Sequence, residues 1–210
     1  ISSINIKRDG LCFSHAEVNG GVFNLRELPN GQLNIQPVVA KLQRPDGKSE
    51  FRMYIDEIDA TGVDFRYERK QHRDPVYGID YFNMWIRDID ARLEHFSVVR
   101  GEVWSDLVAL SAYEQSGFTI ENLATHFYVY RGVIDFENLV ATTDKSEVFV
   151  PKFTINGEDW LQYKRYIDEV PMSGYVVNSR LSTDDLGYFA PAVRDWGITI
   201  TDVDATFEGV

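Results

Sequence analysis

The chain has 210 residues, 44% hydrophobic and 26% charged, enough apolar material for one sizeable domain or two small ones. Thirty-three acidic against twenty-one basic side chains leave a formal charge of -12, which argues against a basic face for nucleic acid. A single cysteine, Cys12, excludes an intrachain disulfide and a multi-cysteine metal site, and no apolar run approaches the ~18 residues of a membrane span.

Alternation of period two dominates, and the aromatic share of 13% favours strands. Ile4 and Ile6 already alternate with polar neighbours, with no basic-then-apolar signal pattern around them. The expectation is an excised or processed piece of a longer protein, with any anchor or signal upstream. Pro37 sits where a first helical turn tolerates it, ahead of Val38, Val39 and Leu42. Phe51, Met53 and Ile55, then Val63, Phe65 and Tyr67, form two alternating runs, and Asp59 to Gly62 between them predicts a hairpin. Met84 and Ile86, then Leu93, Phe96 and Val98, then Val103 to Leu110 continue the series. Leu123, Thr125, Phe127 and Val129 alternate with Ala124, His126, Tyr128 and Tyr130, and Ile134 and Phe136 resume after Arg131-Gly132. Trp160, Tyr163, Ile167 and Val170 mark one stripe of a helix. Val148 to Ile155, Tyr175 to Leu181 and Gly197 to Phe207 read as the last strands. Ser182 with Asp185 resembles a capping box opening a helix through Leu186 and Phe189 that stops near Pro191. Phrases beginning at Gly78, Gly117 and Gly132 echo one another, as successive strands of one elongated sheet would, or as amphipathic strands do by chance. No linker marks an internal boundary, so residues 1–210 read as a single unit.

Catalytic patterns are missing: no phosphate loop, no His-Glu-x-x-His, no Gly-x-Ser-x-Gly. Cys12 lies in a strand pattern as a small hydrophobe. His15, His72, His95 and His126 show no ligand spacing. Asp88-x-Asp90, Asp202-x-Asp204 and Asp56 to Asp59 project carboxylates from one strand face, where a calcium ion or a hydrolase pair would need them, and where a solvated sheet face also puts them. The reading is no catalytic residue, no metal and no cofactor. What remains is the apolar face, with Phe51, Met53, Ile55, Val63, Phe65, Met84, Ile86, Phe127, Val129, Ile134 and Phe136 as candidate groove lining. Such a face is either covered by a second sheet or left as a groove for an apolar ligand. The covered alternative is a secreted or surface β-sandwich that binds glycan or protein through rings such as Trp85 and Trp104.

The segment Gly21-Val22-Phe23-Asn24-Leu25-Arg26-Glu27-Leu28-Pro29-Asn30-Gly31-Gln32-Leu33-Asn34-Ile35, followed by Val38-Val39-Ala40-Lys41-Leu42, resembles the AsmA-like proteins, in which a "dGxlNi" phrase ends a strand before a short apolar helical turn. Gly78-Ile79-Asp80-Tyr81 with Asn83, Glu114-Gln115-Ser116-Gly117-Phe118, and Leu181-Ser182-Thr183-Asp184-Asp185-Leu186 with Tyr188-Phe189-Ala190-Pro191 look like the TamB branch of Bacteroidetes-type bacteria. The resemblance implies a mainly β fold, an elongated, twisted antiparallel sheet curled into an open groove, with a few short helices. It implies a periplasmic location, with an inner-membrane anchor helix upstream of this chain. Its function would be phospholipid transport between inner and outer membranes, or assembly of outer-membrane β-barrels. Phospholipid acyl chains would be the ligand, and an Omp85-type barrel would bind through parts outside this fragment. Against that full pattern these 210 residues would be an early segment of the bridge, with the anchor and the C-terminal domain expected outside them.

Overall fold

The computed structural model describes residues 4–7, 10–37, 51–69, 77–158, 162 and 169–209. The alternation resolves into twelve strands of one sheet. They are β1 (Ile4–Lys7), β2 (Gly10–Asn19), β3 (Val22–Arg26), β4 (Arg52–Glu68), β5 (Asn83–Val99), β6 (Glu102–Glu114), β7 (Thr119–Ile120), β8 (Asn122–Tyr130), β9 (Val133–Thr142), β10 (Glu147–Asn156), β11 (Met172–Ser182) and β12 (Thr199–Gly209). The order is β1-β2-β4-β5-β6-β8-β9-β10-β11-β12, with β3 beside β4 and β7 beside β6, and the sheet does not close into a barrel. Helix α1 (Thr183–Phe189) and a 3-10 segment (Pro191–Trp196) follow β11. The protein is thus mainly β and open, as the sequence predicts. The two other predicted helices, after Pro37 and around Trp160 to Ile167, lie outside the described residues.

Two expectations are corrected. The sheet is mixed rather than antiparallel, because β2 and β3 both run parallel to β4. The hairpin expected at Asp59 to Gly62 does not form: β4 runs through as one strand of 17 residues. Gly62, at φ +61°, makes a bulge there instead, and the register against β5 shifts between Ala60 and Val63.

Further bulges recur where a residue takes a left-handed conformation inside a strand: Asp88 and His95 in β5, Asn138 in β9, Asn178 in β11 and Asp202 in β12. Pro151 falls opposite the Asn138 bulge, where a central strand can spare an N–H. Carboxylates from adjacent strands satisfy the freed backbone donors. Gly62 N donates to Asp90 Oδ1 at 2.8 Å, Asp88 N to Asp64 Oδ1 at 3.2 Å, and Asn178 N to Asp204 Oδ1 at 2.9 Å. Each Asp-x-Asp doublet therefore supplies one left-handed bulge residue, then a carboxylate that accepts from the bulge of the neighbouring strand. The doublets are accounted for as sheet-bending hardware.

Bulges strengthen twist, and α1 shows the resulting curl. From β11 to β6 is four strand spacings, about 19 Å on a flat sheet, whereas seven helical residues span only about 10 Å. Yet α1 begins at the end of β11 and its far end meets the β5 and β6 ends. Phe189 packs edge-on against Phe118 at 5.0 Å, and Ile79 N donates to Tyr188 O at 3.0 Å. Ser182 caps α1 through its hydroxyl, which accepts from Asp184 N at 3.2 Å. Asp185 departs from a capping box: its carboxylate accepts from Thr143 Oγ1 at 2.6 Å and from the Ser146 hydroxyl, fastening the helix to the β9–β10 turn.

If the doublets serve the bulges, Asp90→Ala and Asp204→Ala should each lower stability by about 1 kcal/mol. Asp88→Gly and Asp202→Gly, which relieve the left-handed strain, should be neutral or mildly stabilising. Urea denaturation checks both; a large loss in the glycine variants with none in the alanine variants would show that the doublets do something else.

Candidate ligand groove

Cross-strand register brings the apolar residues of nearly every strand onto one face. One row runs Leu11, Met53, Val98, Val103, Val129, Ile134, Ile155 and Met172. A second runs Phe127, Phe136, Phe153, Gly174 and Phe207. Here Phe136 stacks on Phe153 at 5.6 Å, and Phe207 tilts against Phe153 at 5.8 Å. Ile55 pairs with Phe13 and Phe96, Val63 with Ile89, Phe65 with Ile86, and Met84 with Tyr67. Phe51 directly precedes β4 and its carbonyl accepts from Arg100 N at 3.1 Å.

No second sheet lies over this face among the described residues. Their buried apolar side chains are only Tyr67, Ala112, Val150 and Val170, and of these Val170 alone is fully buried. The accessible surface of 12943 Å² exceeds the roughly 10,000 Å² of a compact monomer of this mass. The sandwich alternative therefore has no second layer here. Its proposed sugar-binding rings are also engaged on the outer face. Trp85 carries the guanidinium groups of Arg66 and Arg87 at 5.4 and 5.2 Å, and Trp104 packs edge-on to Tyr128 at 6.3 Å.

The curl encloses a cavity of about 880 Å³ over β9 to β12. Leu139, Val148, Val150, Phe153, Met172, Val176 and Leu181 form its sheet wall, Leu186 and Phe189 its helix wall, and Phe207 its outer end. Polar groups are few: Thr143, Ser146 and Asp185 at the α1 end, and Glu208 at the other. A second cavity of about 240 Å³, lined by Ile79, Met84, Ile86, Ala112, Glu114 and Ile120, shares Tyr81, Phe118 and Phe189 with the first. Of the residues chosen from sequence, Met84 and Ile86 line the smaller cavity and Phe136 backs the larger through Phe153. Phe51, Met53, Ile55, Val63, Phe65, Phe127, Val129 and Ile134 are half-buried outside the walls of both. The main walls, from Leu139 onward, were missed because Asn138 and Pro151 break the alternation that would have marked them.

The outer face carries a matching polar row: His15, Glu57, Glu94, Asp106, His126, Glu137 and Lys152. His15, Glu57 and Asp59 bring one donor atom each within 4.8 Å of one another. Arg92 occupies this cluster, bonding Glu57 at 2.6 Å. Asp106 accepts from two imidazoles, His95 Nδ1 at 2.8 Å and His126 Nδ1 at 2.7 Å. The hydrogen bond to Asp106 raises the pKa of His95, and the bonds from His95 and then His126 lower that of Asp106.

No protein-family model matches the chain, and neither a characterised protein nor a solved structure does. The fold and the groove define it only as an open, curled sheet with an apolar inner face.

Two measurements follow from these contacts. The His95 contribution is fully present below the ordinary histidine value of 6.5 and lost as pH rises through the raised one. The Asp106 contribution is present above 3.8 and lost as pH falls through the lowered value. Melting temperature should therefore decline as pH rises above 6.5 and through the raised His95 value, and His95→Gln should flatten that decline. In the groove, a Cβ on Gly174 would stand 2.6 Å from the Phe207 ring and 3.0 Å from Lys152 O. Gly174→Ala should accordingly cost about 1–3 kcal/mol in denaturant melts; an unchanged midpoint would mean that Phe207 does not close the groove as described.

Proposed function

We propose that this chain is a non-enzymatic, periplasmic segment of an AsmA/TamB-like bridge, whose groove carries phospholipid acyl chains between inner and outer membranes or supports outer-membrane barrel assembly. In this reading an anchor helix and an Omp85-type contact belong to other parts of the protein. The observation that carries it is the apolar inner face: continuous across the strands, covered by no second layer among the described residues, and curled around a cavity of about 880 Å³. That volume lies in the range of small-molecule sites. Each buried methylene of an acyl chain contributes about 0.8 kcal/mol, so an apolar trough holds lipid without a headgroup site or a catalytic residue.

Phospholipid should copurify with the wild-type protein and be detectable by mass spectrometry of solvent extracts. Leu139→Asp combined with Phe153→Asp should reduce it by about tenfold or more, since each places a carboxylate on the groove wall. Circular dichroism verifies that the sheet is retained. Wild-type protein free of lipid after gentle extraction from cells would overturn the proposal.

A further inference from the structure

Where the far end of α1 meets the ends of β5 and β6 stands a carboxyl group that the fold only half satisfies. Glu114, the last residue of β6, is 6% exposed and lines the smaller cavity. Its Oε2 accepts from Ser116 N at 2.8 Å and from the Ser116 hydroxyl. Its Oε1 is buried with no hydrogen-bond partner. A second buried carboxyl oxygen without a partner, Asp80 Oδ2, belongs to the segment Ile79 to Tyr81 bordering the same cavity.

A buried acceptor of this kind costs its desolvation unless a donor reaches it. The neighbouring groups do not supply one. Register places Glu114 opposite Ile86 on the inner face, so Arg87, paired with Tyr113, points to the outer face. There its guanidinium lies over Tyr113 at 4.8 Å and over Trp85 at 5.2 Å. The Gln115 amide donates to Asn83 O. Around Oε1 the walls are otherwise apolar and aromatic, with Tyr81, Phe118 and Phe189 continuing into the larger cavity. Burial, and next the charge of Glu114, raise the pKa of Tyr81, so its phenol keeps its proton.

A carboxyl oxygen lacking a donor, aromatic faces and a space of about 240 Å³ suit one kind of chemical group. We propose that the smaller cavity binds the ammonium end of an amphiphile, with Glu114 Oε1 as its acceptor, while the apolar chain lies in the larger cavity. This rests on the groove reading above and adds a sign to it: cationic ends are admitted to the smaller cavity, and anionic ones are turned away by Glu114 and Asp80.

Calorimetry with three single-chain probes below their micelle concentrations tests it: dodecylammonium, dodecanol and dodecanoate. The ammonium should bind at least about tenfold more tightly than the alcohol, as one charge-assisted hydrogen bond made to a buried acceptor implies, and the carboxylate most weakly. In Glu114→Gln the ratio of ammonium to alcohol affinity should fall to near one. Ala112→Val, which narrows the same cavity while leaving Glu114 in place, should reduce that ratio too. Equal binding of ammonium and alcohol by the wild type, or a ratio that survives Glu114→Gln, would show that water satisfies Oε1, and would overturn this assignment while leaving the groove intact. Failure of all three probes to bind would remove the groove reading itself.

Discussion

Among the described residues no second sheet faces the apolar side of this one, so its side chains are shielded by one another, by the curvature of the sheet and by the short helix α1, and that constraint organises this protein. Burial is shallow: most inner-face residues are half-buried, and among the described residues four apolar side chains are buried, of which Val170 alone is wholly removed from water. Cross-strand contact takes the place of a second layer. The stack Phe136, Phe153 and Phe207, laid over four strands with Gly174 of β11 making room, is the clearest case. Register is correspondingly strict, because a slip of one residue would exchange the phenylalanine row for the row containing Glu137 and Lys152.

Curvature has its own chemistry. Bending a long ladder frees backbone donors, and here they are bonded by aspartates of the adjoining strand, so the surplus of acid that sets the net charge is partly structural. Helix α1 then ties the bent sheet across its inner face, fixed at one side by its Asp185 against Thr143 and Ser146 of the β9–β10 turn and at the other by Tyr188 against Gly78 and Phe118. Gly78 is needed there, since a Cβ would stand 2.5 Å from Tyr188 O.

Much of this was legible in the sequence. Strands and the placing of apolar residues on one face follow from local patterns that repeat every two residues, and the turn at Arg131-Gly132 and the Ser182 cap from their turn and cap residues. The failures share a cause. Gly62 looked like a turn and Asn138 with Pro151 hid the groove wall, because a bulge inserts one residue and shifts the phase of the alternation. His95 and His126 meet at Asp106 only through register between strands that are not adjacent in sequence, β5 and β8 both reaching β6. Glu114 gave no signal, since a glutamate closing a strand is ordinarily solvated and only tertiary burial distinguishes it.

The parallel pairing at the start of the sheet has a kinetic consequence. From Leu11 opposite Met53 to Arg26 opposite Glu68 the register never changes, so β2 and β3 act as one strand interrupted at Gly20 and Gly21. The chain must then travel back along the whole of β4, about 56 Å at strand rise, before β4 begins. Strands β4 to β6 and β8 to β10 pair with sequence neighbours and can zip hairpin by hairpin, whereas β2 and β3 must wait for a distant loop to close. The first three strands are therefore the slowest to dock and the first to peel away, and hydrogen exchange at Val18, Val22 and Phe23, already among the most exposed apolar positions, would run ahead of exchange in β5 and β6.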